Sequence, residues 1–279
     1  MTENINLSKE QFELLRKKEL ELLKCFISVC DTLGLRYFVV EGTLLGAVRH
    51  GGFIPWDDDI DVGMPRSDYE RFLSEAEALL PEKYFLQSRK TEEEYLHCFA
   101  KLRNKKTVFR ETASKNLNIN HGIYIDIFPF DYYPDSRVKA VLLDLNKLLV
   151  KYRVRERYYL PEDKKLTPAN FARRLLVFAS RLRFHSVEAA LNYQDKRLPC
   201  KTKTNRLINH GSPWNNRERF PAEWASELTQ LQFEGITVNV MKGYDRYLSN
   251  LYGDYHKLPP KEQQVPHHYL CEISFEGEE

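Results

Sequence analysis

The sequence predicts an α/β (α+β) fold, a mixed sheet flanked by helices with a helical C-terminal half. Three observations carry this. Apolar residues recur at helical spacing from Phe12 to Val29, short β-branched and aromatic runs such as YFVV (37–40) and GIYIDIF (122–128) alternate with helical segments, and residues 136 to about 200 show helical periodicity in two or three pieces. With 279 residues, 42% apolar and 29% charged, the chain has enough material for one large domain or two small ones and lies outside the disordered range.

The elements follow in order. Ser8 and Gln11 form a capping box ahead of Phe12, Leu15, Leu22, Leu23, Phe26 and Val29, a long amphipathic helix ending at Gly34. YFVV reads as a buried strand running into Glu41 and Gly42. LLGAVR (44–49) makes a short helix, broken by Gly51, Gly52 and Pro55, and Ile60 to Met64 reads as a second strand. Ser67 with Glu70 is expected to cap a helix reaching about Leu80. YFLQS and the longer FAKLRNKKTVFR (99–110) read as strands, the latter as one piece. In GIYIDIF, Ile123, Ile125 and Ile127 fall on one face and Tyr124, Asp126 and Phe128 on the other. Phe233 to Val240 reads as one strand and Tyr244 to Tyr252 as a helix before a Pro-rich tail.

Charge is divided unevenly. Residues 136–210 hold 18 Lys and Arg against 6 Asp and Glu, while the rest holds 24 against 34. No recognised nucleic-acid motif accompanies the basic segment, so no nucleic-acid partner is expected. Within it, FARRLLVFASRLRF (171–184) has two readings: a helix lying in a membrane interface, or core residues Leu175, Leu176, Val177 and Phe178 with a solvated arginine rim. The five cysteines are scattered without metal-ligand spacing and read as reduced thiols, mostly core. The charged N-terminus lacks a signal-peptide h-region and no segment offers a spanning run, so a cytoplasmic location is expected, with contact at the inner membrane face if the basic helix lies on it.

The chemistry concentrates in GTLLGAVRHGGFIPWDDDIDVGM, where four of the five positions 57–61 are aspartate. Such a cluster is costly unless a cation or a set of donors neutralises it. On a strand Asp59 and Asp61 share a face and suit magnesium, or manganese in its place, which prefers oxygen ligands and shares its shell with substrate phosphates. Asp126 could supply the third carboxylate; a two-metal site with ions about 3.5–4 Å apart would stabilise both attacking and leaving oxygens. Gly42 and Thr43, at a strand end leading into a helix, could cradle a phosphate. Lys101 and Arg103 could neutralise a pyrophosphate, Arg49 could contact it or only favour its own helix terminus, and His268 could line the donor site. Asp57 has the parity of a ligand and stays open. Asp57, Asp59, Asp61 and Asp68 also occupy positions 1, 3, 5 and 12 of a calcium loop, but Val62 stands at the glycine position and Pro65 interrupts it.

Four blocks, EGTLLGAVRHGGFIPWDDDIDVGMPRSDYERF, FAKLRNKKTVF, GIYIDIFPFDYYPD and YGDYHKLPPKEQQVPHHY, occur in order between about residues 37 and 269 and resemble the LicD family of the nucleotidyltransferase superfamily, which is similar to fukutin and fukutin-related protein. The resemblance implies a nucleotidyltransferase-like catalytic core over 1–135, with 136–279 as a helical, basic region completing the same fold. It implies transfer of phosphocholine or a related phospho-alcohol from a CDP-alcohol donor, CDP-choline first among them. The acceptor would be a sugar hydroxyl of a glycan or lipid-linked precursor of lipopolysaccharide or teichoic acid, and CMP would be released. It puts the family's metal-binding aspartates on Asp59 and Asp61 and the superfamily's third carboxylate on Asp126, with a general-base role open to Asp126. Gly42 lies 17 positions before Asp59, a longer gap than is usual in the superfamily, and the cysteine-rich zinc insertion of the eukaryotic relatives has no counterpart, so zinc is not carried over. The alternatives are transfer of NMP to a small acceptor and, from another class, a non-catalytic calcium-binding module.

Overall fold

Residues 5–158, 167–200 and 202–275 are described by a computed structural model of the chain. Helix α1 (Lys9–Leu33) starts as its capping box predicts. Ser8 N–H donates to Gln11 Oε1 at 3.0 Å and Gln11 N–H to Ser8 Oγ at 3.2 Å, and Gly34 closes the helix at φ 64°, the left-handed conformation glycine adopts without strain. Its buried face carries Leu15, Leu22, Leu23 and Phe26.

Then come β1 (Phe38–Val39), α2 (Glu41–His50), β2 (Asp61–Pro65), α3 (Arg66–Glu75), β3 (Tyr84–Gln87), β4 (Ala100–Asn104), β5 (Val108–Glu111) and β6 (Tyr124–Tyr132). Helices α4 (Arg137–Tyr158), α5 (Pro168–Arg183) and α6 (Val187–Arg197) are followed by β7 (Arg206–Asn209), β8 (Arg219–Pro221), β9 (Leu228–Phe233), β10 (Ile236–Met241), α7 (Tyr244–Tyr252) and β11 (Leu270–Ser274). The contacts divide the chain into two units: residues up to Asp131 together with those from Leu207 onward, and Tyr132–Arg206. The α/β class read from the sequence holds.

In the first unit the main sheet runs β1-β2-β6-β4-β3, with β7 pairing both β6 and β8. Only β2 and β6 are parallel among its registered pairs. Phe38 and Phe130 meet at a tilt with centroids 5.2 Å apart over Gly63, where a Cβ would come within 2.5 Å of the Phe130 ring, so only glycine admits both rings.

Three expectations for this unit are corrected. FAKLRNKKTVFR is two strands: the exposed Lys105 and Lys106 form a turn, after which β5 leaves the main sheet and pairs with β11. The strand expected at 233–240 is the hairpin β9–β10, turned by Glu234 (φ 48°) and Gly235 (φ 74°). Glu234 tolerates its left-handed backbone because its carboxylate accepts from Phe53 N–H at 3.0 Å and its own N–H donates to Gly51 O at 3.0 Å, which ties the hairpin tip to the segment leading into the aspartates. Helix α3 starts at Arg66 behind Pro65, without a side-chain cap, so Ser67 lies inside it.

The second unit packs α4, α5 and α6 around Leu149, Val150, Phe184 and Ala190. Thr167 caps α5, and Pro168 takes its first position, where a missing N–H costs nothing. Leu175 and Phe178 are 53% and 60% exposed, so the reading of them as core is overturned. No helix among the described residues is long and apolar enough to cross a membrane. The five cysteines are free thiols; Cys30 is in the core, the half-buried Cys25 and Cys98 pack against it, and Cys200 and Cys271 are half-buried elsewhere.

Candidate active site

Strand register assembles the centre of the site. Asp61 on β2 lies opposite Asp126 on the parallel β6, and Asp126 lies opposite Lys101 on the antiparallel β4, so two carboxylates and one ammonium stand in a row across three strands. Lys101 Nζ is 2.8 Å from Asp126 Oδ1 and 3.3 Å from the centroid of the Tyr124 ring, a cation–π contact that holds the lysine in place. Both partners of this ion pair are buried.

Asp61 is fixed from the other side. Its backbone N–H donates to Thr43 Oγ1 at 2.8 Å, tying the first turn of α2 to the start of β2. Thr43 is buried and positions Asp61, the one contact the structure gives its hydroxyl. Gly42 does line the cavity described below, but its nearest neighbour is a carboxylate: a Cβ there would sit 2.6 Å from Asp57 Oδ2. The glycine therefore lets helix and aspartate loop approach. Glu41, which starts α2, is buried at φ 45°, a strained conformation for glutamate of the kind that clusters at functional sites.

Asp59 precedes β2 and sits in a loop with Asp57 and Asp58, the carboxylate oxygens of all three lying within 4.8 Å of one another. Arg16 pins this loop by donating to Ile54 O at 2.6 Å and Asp57 O at 3.2 Å. The three aspartates divide the work. Asp58 turns away and accepts from His267 N–H and His268 N–H at 3.2 Å each and contacts His268 Nδ1 at 3.1 Å. Burial alone would raise its pKa, but the His268 hydrogen bond and charge outweigh this and hold it below the ordinary value. His268 is pushed up to about 10, against its own burial, by that hydrogen bond and by the charges of Asp59, Asp58 and Glu111. It is thus a fixed cation with Nε2 3.9 Å from Asp59 Oδ2 and 3.1 Å from the Tyr124 hydroxyl.

These groups face a cavity of 780 Å³, within the range of small-molecule sites. Of the residues singled out in the sequence, Asp59, Asp61, Asp126, Gly42, Arg49, Lys101 and His268 line it, and the structure brings them together from four distant segments. Arg49 spends donors on Tyr255 O at 2.9 Å and Lys257 O at 3.5 Å. Arg103 is turned to Gln87 Oε1 at 2.5 Å and Gly122 O at 2.6 Å, with its guanidinium against Tyr124, and braces the strands behind the site. Asp57 also lines the cavity. No calcium loop exists, because Asp61 is in a strand and Asp68 in α3.

Sequence reasoning missed Glu41, Asp58, Glu111 and His97. Glu41 and Glu111 each end or follow a short strand, the one signal that could have marked them. Glu111 accepts from Tyr124 Oη at 2.9 Å; burial would raise its pKa, but Lys101, His268 and His97 bring it down to about 2. His97 is depressed to about 4 by burial and Lys101, so it is neutral.

Among the described residues the carboxylates grouped closely enough to share a hard divalent cation are Asp57, Asp58 and Asp59, and Asp61 and Asp126 line the same cavity as Asp57 and Asp59. Asp59, Asp61 and Asp126 offer only oxygen atoms, and burial followed by mutual repulsion raises Asp61 well above the usual carboxylate range, with Asp59 and Glu41 the next contributors. Burial likewise raises Asp59 and Asp126 despite the opposing charges of His268 and Lys101. Bound cationic charge is what such a cluster needs to ionise together.

The mixed sheet thus presents aligned carboxylates and cationic side chains to one cavity. The sequence profile of the LicD family, described as the LicD/FKTN/FKRP nucleotidyltransferase domain, matches residues 34–177, more than half of the chain, and the chain belongs to that family. Its similarity to the lipopolysaccharide cholinephosphotransferase LicD of Haemophilus influenzae is 29% identity over 256 residues, covering 89% of this chain and 92% of that protein. Ribitol 5-phosphate transferase FKRP of Mus musculus is 32% identical over 122 residues, and the human FKRP 31% over the same length, each covering 42% of this chain but only 21% of the relative. These relatives are transferases, and the chain is an enzyme of that class.

Proposed function

We propose that the chain transfers phosphocholine, or a related phospho-alcohol, from a CDP-linked donor to a sugar hydroxyl of a cell-surface glycan precursor and releases CMP. The observation that carries this is the row Asp61–Asp126–Lys101 beneath the cavity, with Asp59 and the His268 cation at its rim. The likeness to a cholinephosphotransferase over nearly the whole chain, against a partial one to ribitol transferases, favours phosphocholine.

In this reading the acceptor oxygen attacks the alcohol-bearing phosphorus, the bond from that phosphorus to the bridging oxygen breaks, and CMP departs with the electron pair. Asp59, Asp61 and Asp126 would hold magnesium or manganese, which supplies Lewis-acid neutralisation of the pyrophosphate. Lys101 and His268 add fixed positive charge on the same wall, and Asp126 receives the acceptor proton. A positioned base is worth on the order of 10² to 10⁴ in rate.

The test is incubation of the purified chain with CDP-choline, CDP-ribitol, CDP-glycerol and CDP-ethanolamine and lipid-linked glycans, with and without magnesium, reading CMP. Metal-dependent CMP release, greatest with CDP-choline, is expected. Release of pyrophosphate from nucleoside triphosphates, with no CMP from any CDP-alcohol, would replace this reading with nucleotidyl transfer.

A further inference from the structure

Helices α4 and α5 each carry an apolar stripe that the second unit does not bury. On α4 it comprises Val138, Val141, Leu142, Leu145 and Leu148, and on α5 Phe171, Leu175, Phe178 and Leu182. The spacings, mostly three or four residues, place each set on one helix face. All nine side chains are between 37% and 74% exposed, while the unit's core is formed by Leu149, Val150, Phe184 and Ala190. The α4 stripe runs on into the buried Leu149, four residues after Leu145, and α5 meets the unit's core through Ala179. Single exposed apolar residues are ordinary, but two continuous stripes on packed helices mark an interaction surface.

Charge identifies the occupant. The two helices hold eleven Lys and Arg and two Asp and Glu. Both acids are engaged inside the unit: Glu156 pairs with Arg153 and with Arg181, the latter at 2.7 Å, and Asp144 accepts from the Tyr133 hydroxyl at 3.0 Å. Arg137, Lys139, Lys151 and Arg174 are exposed at helix positions beside the stripes. A surface both apolar and strongly basic repels a second copy of itself, and nucleic acid has no use for phenylalanine and leucine stripes at this spacing. An anionic bilayer satisfies both halves, taking the apolar side chains at the boundary of headgroups and acyl chains and the Lys and Arg among the phosphates.

We infer that the α4–α5 face docks on an anionic membrane surface, lying in the interface without spanning it. Exposed apolar stripes and net charge carry this, and neither depends on the reaction proposed above. Resting on the function proposed above, the benefit would be two-dimensional, a search along the surface for a lipid-linked acceptor.

The experiment is sedimentation of the full chain with vesicles of phosphatidylcholine alone or mixed with phosphatidylglycerol, at low and high salt. Binding to the anionic vesicles at low salt, weakened by salt and absent from neutral vesicles, is expected. Leu142→Glu with Phe178→Glu should abolish it. Lys139→Glu with Arg174→Glu should weaken it by about tenfold or more, since each basic residue near such a surface contributes about 1 kcal/mol. All four positions are exposed, so melting curves should stay close to wild type. A chain that stays in solution with anionic vesicles at low salt overturns the inference. So does binding that the four substitutions leave unchanged, or a dimer that Leu142→Glu and Phe178→Glu dissociate in a chain that ignores vesicles. CMP release is measured separately in solution, so a failed membrane result and a failed activity result are told apart.

Discussion

In the first unit Glu41, Asp61 and Asp126 are 6–7% exposed, whereas in the second Val138, Phe178 and Leu182 are 60–74% exposed. Each unit inverts the ordinary partition of side chains, in opposite senses. Buried carboxylates cost stability unless compensated, and exposed apolar faces cost solubility, so both inversions point to something outside the chain that completes them. On the readings proposed above, the complement of the first unit is cationic charge and a phosphorylated substrate, and that of the second a surface that is apolar and anionic at once. The comparison separates residues that hold the fold from residues that wait for a ligand.

The largest effect expected is on catalysis. Asp61→Asn and Asp126→Asn should each lower CMP release on the order of 10³-fold, the equivalent of losing several kcal/mol of charge stabilisation. Asp61→Asn should leave the melting temperature close to wild type, because it removes one member of a mutually repelling cluster, whereas Asp126→Asn also leaves Lys101 buried without its partner and should lower it. An Asp126→Asn enzyme with wild-type turnover would place the third carboxylate elsewhere.

Lys101→Met attacks the same unit from the cationic side. It leaves Asp126 buried without its partner and should destabilise the fold by about 3–5 kcal/mol in urea unfolding. Adding Asp126→Asn should return most of that loss, since the pair acts as one unit. If the double variant is no more stable than Lys101→Met, then Lys101 supports the fold through Tyr124 and not through Asp126.

Glu111→Gln keeps an acceptor for the Tyr124 hydroxyl while removing charge. Its carboxyl falls from 4.5 to about 2 in the fold because cationic charge, Lys101 first and His268 next, overcomes the burial penalty. A depressed folded pKa contributes stability that is complete above the unfolded value and lost as pH falls through the folded one. The wild type should therefore exceed Glu111→Gln by roughly 3 kcal/mol at neutral pH, and the gap should start to close below about pH 4.5. A gap that stays constant down to the acid transition would show that the cations do not act on this carboxylate.

Local chemistry was legible in the sequence and long-range register was not. The Ser8–Gln11 box, Gly34 and the span of α7 depend on neighbours within a few residues, and all stand as read. The candidate carboxylates were also legible, because a strand interrupted by aspartate has no structural motive of its own. That Asp61 faces Asp126, and Asp126 faces Lys101, depends on pairing between segments up to 65 residues apart, which no local pattern encodes. Asp58 looked like one more member of the cluster because its partner His268 lies 210 positions away. The β9–β10 turn was missed because Glu234 is a poor turn residue, made acceptable by its bond to Phe53. In 171–184 composition left two readings open, and the exposure of Leu175 and Phe178 removes the reading of them as core.

The smallest effect expected is the one that isolates the second unit. Val138→Ser and Leu182→Gln replace side chains 70% and 74% exposed, so little apolar area leaves the core and no buried partner is stranded. Each should change unfolding free energy by no more than about 0.5 kcal/mol. Leu22→Ala is the control in the first unit: Leu22 is 0% exposed, and its truncation should cost about 2–5 kcal/mol, the lost transfer energy plus the cavity left behind. Glutamine and serine also lower the helix's own apolar area in water, so a slight gain in solubility should accompany the near-zero change. A loss of 2 kcal/mol or more at Val138 or Leu182 would mean these side chains pack against something within the chain, and the contrast between the two units would then rest on the buried carboxylates alone.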